Sequence, residues 1–144
     1  MEQYFALLRQ CPLFQGISPQ ELSQMLPCLG TRHMQVKKHQ MIFRAGDPAR
    51  WVGLVLSGAV HVIQEDYYGN RSIVSTFQPP QLFGEAFACA GVASLPVSVE
   101  AAQDSTLLLL DCQRVIRTCS DACAFHQRLL SNLLHVVAAK NLLL

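Results

Sequence analysis

Between His33 and Leu110 the sequence is cut every few residues by turn formers, so no apolar stretch there is long enough for a helix of ordinary length. Met41-Ile42-Phe43 is followed by Ala45-Gly46-Asp47-Pro48, and Val52-Gly53-Leu54-Val55-Leu56 by Ser57-Gly58. Val60–Gln64 leads to Tyr68-Gly69-Asn70, and Ser72–Phe77 returns to stop at Pro79-Pro80. Gly-Asn between two such runs reads as a hairpin tip. Val97–Ala101 and Leu107–Leu110 supply two further runs. Short strands with turn signals at this spacing predict an antiparallel sandwich or jelly-roll barrel.

Helical patterns flank this region, giving an α+β domain with helices in 1–30, a β-barrel in 31–110 and helices in 111–144. Met1–Arg9 is a short amphipathic stretch that Pro12 ends. In Ser18-Pro19-Gln20-Glu21, Ser is the N-cap, Pro takes the first helical position and Glu completes a capping box. That helix is expected to carry Leu22, Met25, Leu26 and Leu29 and to stop at Gly30. Asp111 caps a short helix over Cys112–Thr118, and Ser120 or Asp121 caps a longer one reaching Leu144. In the last helix, Cys123, Gln127, Leu130, Leu134, Val137, Asn141 and Leu144 recur at steps of four and three, an a/d seam with polar Gln127 and Asn141. Leu129, Leu133 and Val136 form a second apolar stripe. One stripe suffices to seat a helix on its own chain. Two predict a homodimer through Leu130, Leu134, Val137, Asn141 and Leu144, the alternative being that both are buried in one chain.

Only 15% of the 144 residues are charged, well below the average of about 25% for soluble domains. A net charge of +1 does not supply the clustered basic excess that a polyanion surface needs. No apolar run approaches the roughly 20 residues that span a bilayer, and no membrane role is expected. Met1-Glu2-Gln3-Tyr4 shows no export signal, so the six cysteines are read as reduced thiols in a cytoplasmic protein. Cys119, Cys123 and His126 have one-face helical spacing suited to a metal, but the helix start at Ser120-Asp121 breaks that face. No four cysteines gather as an iron–sulfur cluster requires, and no cofactor is expected. His61 lacks the second histidine of a metal-dependent barrel enzyme, and no nucleophile–base constellation is legible, so the chain reads as a non-enzyme.

The segment Gly84-Glu85-Ala86-Phe87-Ala88-Cys89-Ala90 follows a strand end and the Pro-Pro turn. Gly84 permits close backbone approach, and the turn after it can present N–H groups to a ligand. The sequence also carries Pro12-Leu13-Phe14 before the capped helix, Ile42-Phe43-Arg44-Ala45-Gly46-Asp47, and Val55-Leu56-Ser57-Gly58-Ala59-Val60. The Gly69 hairpin, Phe83-Gly84-Glu85, Ser98-Val99-Glu100-Ala101 and the long terminal helix follow in order. In that order the features resemble the sensor domain of Crp/Fnr-type bacterial transcription regulators, with a cyclic-nucleotide-binding fold. The resemblance extends over essentially the whole chain.

The resemblance implies an effector in the barrel, a dimer through the long helix and a parent regulator that contacts DNA only through a winged helix-turn-helix outside this chain. The chain itself, ending at Leu144 inside the helix, reads as a piece of such a regulator. In nucleotide-binding members the cassette offers Gly and Glu to the ribose, and an Arg about eleven residues after the Gly pairs with the phosphate. Counting from Gly84 reaches Leu95-Pro96-Val97-Ser98, and no Arg lies between Arg71 and Arg114. The expected ligand is therefore a small molecule other than a cyclic nucleotide, apolar or weakly polar, with carboxylates and aromatics included. Its expected contacts are Gly84, Glu85, Ala86, Phe87, Ala88, Leu95, Pro96, Val97 and Ser98. Lys140 and Asn141 join them, because the long helix of the family passes near the ligand. A cyclic-nucleotide receptor without the cassette Arg, a ligand-free dimerisation module and a haem or redox sensor are the alternatives.

Overall fold

The turn formers between 33 and 110 do divide that stretch into short strands. In the computed structural model, which describes residues 4–117 and 124–142, they are β1 (Arg32–Val36), β2 (Met41–Phe43), β3 (Trp51–Ser57) and β4 (Val60–Glu65). β5 (Arg71–Phe77), β6 (Leu82–Phe83), β7 (Ser98–Ala101) and β8 (Ser105–Asp111) follow. They form two four-stranded sheets, ordered β1-β8-β3-β6 and β2-β7-β4-β5, with antiparallel pairing throughout the registers from Arg32↔Leu109 to Glu65↔Arg71. Except in the β4–β5 hairpin, neighbours in a sheet are not consecutive in sequence, as a jelly roll requires. The fold is mixed α+β, and the chain divides into two compact units, Arg32–Leu109 and a helical unit of Met1–Thr31 with Leu110–Leu144.

Inside the β-unit, side chains from both sheets meet: Val36, Val55, Val60, Phe83, Val99, Ala101, Leu107 and Leu109 are buried together. Phe43 and Phe77 flank Phe83 with ring centroids 5.9 and 6.5 Å away. Gly53 lies opposite Phe83 in the β3–β6 pair, and a Cβ at position 53 would collide with the Phe83 ring. Glycine is needed there for space, not for backbone freedom.

The hairpin tip between β4 and β5 is built by a residue the turn signal does not reveal. Asp66 accepts hydrogen bonds from Tyr68 N, Asn70 N and Asn70 Nδ2 at 2.8–3.0 Å. β1 and the two-residue β6 were not separately legible. Arg32-His33-Met34-Gln35-Val36 has one buried residue, so its alternation carries little signal.

In the helical unit, α1 (Phe5–Gln10) ends before a 3-10 turn at Pro12–Phe14. The capping box forms as expected on α2 (Pro19–Met25): Glu21 N donates to Ser18 Oγ at 3.2 Å and Ser18 N to Glu21 Oε1 at 3.1 Å. These bonds hold the Glu21 carboxyl below its ordinary pKa, so acidification through that range weakens the cap. The helix is shorter than expected. Pro27 lacks the N–H that would continue the α ladder, and Leu26–Leu29 tightens into a 3-10 turn before Gly30. Asp111 caps α4 (Cys112–Ile116) by accepting from Gln113 N at 3.0 Å.

α5 runs over Ala124–Leu142; the start expected at Ser120 or Asp121, with Cys119 and Cys123, lies outside the described residues, as does Leu144. Its two stripes have different fates. Leu129 and Leu133 are buried, whereas Leu134 is 66% exposed, Asn141 is exposed, and Leu130 and Val137 are half-buried. The alternative in which both stripes are buried within one chain is therefore not what the fold adopts. Asn132 anchors the inner face, its Nδ2 donating to Leu13 O and Gln15 O, each at 2.9 Å.

Gly53→Ala is predicted to lower stability by about 1–3 kcal/mol, the usual cost of overpacking. Urea denaturation reads this as a lower midpoint at unchanged slope, and an unchanged midpoint would show that Phe83 moves aside freely.

Candidate functional site

The apolar turn expected after Gly84 is a short helix. Leu82 and Phe83 are buried in β6, which delivers the chain to Gly84. Gly84 adopts φ +77°, a left-handed conformation that a residue with a Cβ enters only with strain, and its Cβ would stand 3.2 Å from Trp51 O. The turn reverses the backbone into α3 (Glu85–Ala90), which Gly91 closes at φ +65°. Glu85, at the first helical position, is only 3% exposed. Ala88 is also buried, Phe87 is half-buried and Ala86 is exposed.

The chain from Val92 to Ser98 is then fastened to the turn between β2 and β3. Ala49 N donates to Val92 O at 3.0 Å, Leu95 N to Asp47 O at 2.8 Å and Gly46 N to Leu95 O at 2.9 Å. Ala45 N donates to Ser98 Oγ at 2.9 Å, so the Ser98 hydroxyl, expected to face a ligand, is engaged with backbone. Leu95 and Val97 are buried between these bonds and Pro96 is exposed. Sequence reasoning missed this fastening, because it joins segments about fifty residues apart and uses mainly backbone groups.

A cavity of about 20 Å³ remains where the segments meet, lined by Phe43, Pro48, Ala49, Arg50, Trp51, Gly84 and Leu95. It admits about one water-sized group. Of the ligand contacts expected from sequence, Gly84 and Leu95 line it; the aromatic wall comes from Phe43 and Trp51, on strands the sequence reading did not connect with the cassette. Trp51 carries two guanidinium groups, with Arg32 4.7 Å and Arg50 4.8 Å from its ring centroid. A wider cleft of about 440 Å³, lined among others by Gln35, Lys37, Ser57, Asp104 and Thr106, also lies in the β-unit. It is polar, and its Lys37–Asp104 pair at 4.0 Å is solvent-exposed.

Lys140 and Asn141 stand on α5 in the helical unit. Lys140 is half-buried, and its charge acts on Cys11. Burial pushes the Cys11 thiol up to about 11, against the lowering influence of the Leu13 and Phe14 backbone and of Lys140. Cys11 is thus a protonated core residue at neutral pH. Among the described residues, no three His, Cys, Asp or Glu side chains form a group that could hold a metal. No described helix is long and apolar enough to cross a membrane.

A family model described as the cyclic nucleotide-binding domain matches residues 33–121, a span that includes the Gly84 reversal and α3. The chain belongs to the cyclic nucleotide-binding domain family. Among solved structures, the catabolite activator protein of Thermus thermophilus is similar at 26% identity and a TM-score of 0.70, over 91% of this chain and 58% of that one. The regulator DNR of Pseudomonas aeruginosa aligns at 21% identity and a TM-score of 0.75, over 97% of this chain and 61% of that one. The sensor domain of DNR alone aligns at 22% identity and a TM-score of 0.75, over 96% and 91%. This chain thus spans about three-fifths of the two longer neighbours. A comparison with curated protein sequences gives no match.

Ser98 is predicted to act on stability. Ser98→Ala removes the acceptor of the Ala45 N–H and should cost about 0.5–1.5 kcal/mol. A chemical-denaturation midpoint equal to that of the parent protein would show that the bond contributes nothing.

Proposed function

We propose that this domain is the effector-sensing and dimerisation part of a Crp/Fnr-type transcription regulator, and that its effector is a small molecule other than a cyclic nucleotide. The observation that carries this reading is Leu95. It stands in the stretch of the cassette where the resemblance expects the phosphate-pairing Arg, and it is buried beside a cavity whose walls, the exposed Arg50 apart, are apolar. A phosphodiester brought there would lack its cation. Leaving a buried charge unpaired costs about 3–5 kcal/mol, a loss of a hundredfold or more in affinity. The cavity beside Leu95 also has no room for a nucleotide unless the Val92–Ser98 chain parts from the Ala45–Ala49 turn.

In this reading the domain is a binding module with no catalytic role. It works in the cytoplasm, and DNA contact belongs to a domain outside these residues. The effector acts by favouring one of two arrangements of the dimer, and it does so only as far as its contacts differ between them. The dimer forms through the outward stripe of α5. Leu134, two-thirds exposed, Leu130 and Val137 supply apolar contact, and Asn141 fixes register.

Calorimetric titration with cyclic AMP and cyclic GMP is predicted to give no saturable heat up to about 1 mM ligand. Micromolar binding of either would overturn the argument from Leu95. Sedimentation is predicted to show a dimer that Leu134→Glu converts to monomer, because charges on facing helices repel at an apolar seam. A Leu134→Glu dimer of unchanged stability would remove Leu134 from the interface.

A further inference from the structure

We infer that the helical unit holds a small-molecule site of its own, and that its ligand is an acidic α-amino acid, with two carboxylates and one ammonium. A cleft of about 320 Å³ opens there, lined by Arg9 in the last turn of α1, by Phe14, Gly16 and Ile17, and by Ser18 and Glu21 of the capping box. Ligand sites span about 300–1,000 Å³, so this one suits an amino acid rather than a nucleotide. Arg128 of α5 borders the cleft. A Cβ on Gly16 would collide with Arg128 Nη1, so the guanidinium lies in the space that this glycine leaves open. Among the described residues, neither Arg9 nor Arg128 has a carboxylate within ion-pair distance.

The charges select the ligand. Two guanidinium groups repel a cation and match carboxylates in a paired geometry. Glu21 adds one negative charge to the wall. Its Oε1 accepts from Ser18 N at 3.1 Å, and the Ser18 bonds, with a smaller contribution from Arg128, hold its carboxyl below the ordinary pKa. Glu21 is therefore ionised at neutral pH, and its Oε2 is left to accept from a ligand. The amides at the start of α2 are not needed, since Glu21 N is already bonded to Ser18 Oγ. A simple dicarboxylate or a phosphate would bring like charge to Glu21 with no group to answer it. An amino acid with one carboxylate would leave an arginine unanswered. An acidic amino acid matches all three groups, its ammonium facing Glu21 and its carboxylates facing Arg9 and Arg128. Its methylene groups then lie against Phe14 and Ile17, which are buried in the floor.

Calorimetric titration of the 144-residue chain with L-glutamate and L-aspartate is expected to give saturable heat from at least one of them. Arg9→Gln and Arg128→Gln should each weaken that binding at least tenfold. Glu21→Gln is the decisive variant, because Gln also completes a capping box and leaves α2 capped. It should weaken the amino acid at least fivefold and strengthen glutarate, which has the two carboxylates of glutamate and no ammonium. The backbone amide shifts of Gly16 and Ser18 should move with binding while those of Gly84 and Leu95 stay. No saturable heat from either amino acid up to about 10 mM overturns the inference. Binding that neither arginine variant weakens overturns it too, as does glutarate binding to the unsubstituted protein as tightly as glutamate. Movement of Gly84 and Leu95 in place of Gly16 and Ser18 would put the ligand in the roll and remove this site. None of these outcomes bears on whether the roll excludes a cyclic nucleotide.

Discussion

The β-unit turns on the contact between Phe83 and Gly53. The ring takes the space that any side chain at 53 would need, and Phe43 and Phe77 close around it. Phe83 immediately precedes Gly84, so the same packing that fills the roll also fixes where the backbone reverses into α3. The cassette is therefore an extension of the core, and a residue at 95 faces an environment already set as apolar. Leu95 suits that environment. Arg at this position would need an anion to answer it, and nothing in the wall of Phe43, Trp51 and Gly84 provides one.

A second constraint is the scarcity of charge. Cassette residues Gly84 to Val99 contain one charged side chain, Glu85, and α5 contains two, Arg128 and Lys140. The two regions use this apolar character differently. In α5, Leu129 and Leu133 are buried in the chain, while Leu134 lies open. Full burial of a leucine side chain is worth about 1.5–3 kcal/mol, so an open leucine flanked by the half-buried Leu130 and Val137 leaves a favourable term unclaimed by the isolated chain. In the cassette Ala88, Leu95 and Val97 are turned inward.

Local chemistry made much of this legible in the sequence. The Ser18–Glu21 capping box, the Asp111 cap and the strands around Gly58 and Gly69 depend on residues three to ten positions apart, within reach of pattern reading. The order of glycines around the roll carried the family resemblance. What the sequence did not disclose depends on distant partners. Glu85–Ala90, six residues long, is too short to show helical periodicity, and it is bounded by left-handed glycines at Gly84 and Gly91. The bond that Ser98 Oγ accepts from Ala45 N, far away in sequence, has no local signature. Trp51 and Arg50 sit in a strand and a turn with no site signature, and only the fold brings them beside Leu95.

The central claim is that an apolar, fastened cassette with Leu95 in the cation's place does not accept a cyclic nucleotide. Backbone amide resonances test it most directly, because Gly46 and Leu95 donate two of the three bonds that would have to open. With about 1 mM cyclic AMP, the Gly46, Gly84 and Leu95 amide shifts are predicted to stay where they are in the free protein. A saturable movement of those three resonances together would contradict the account.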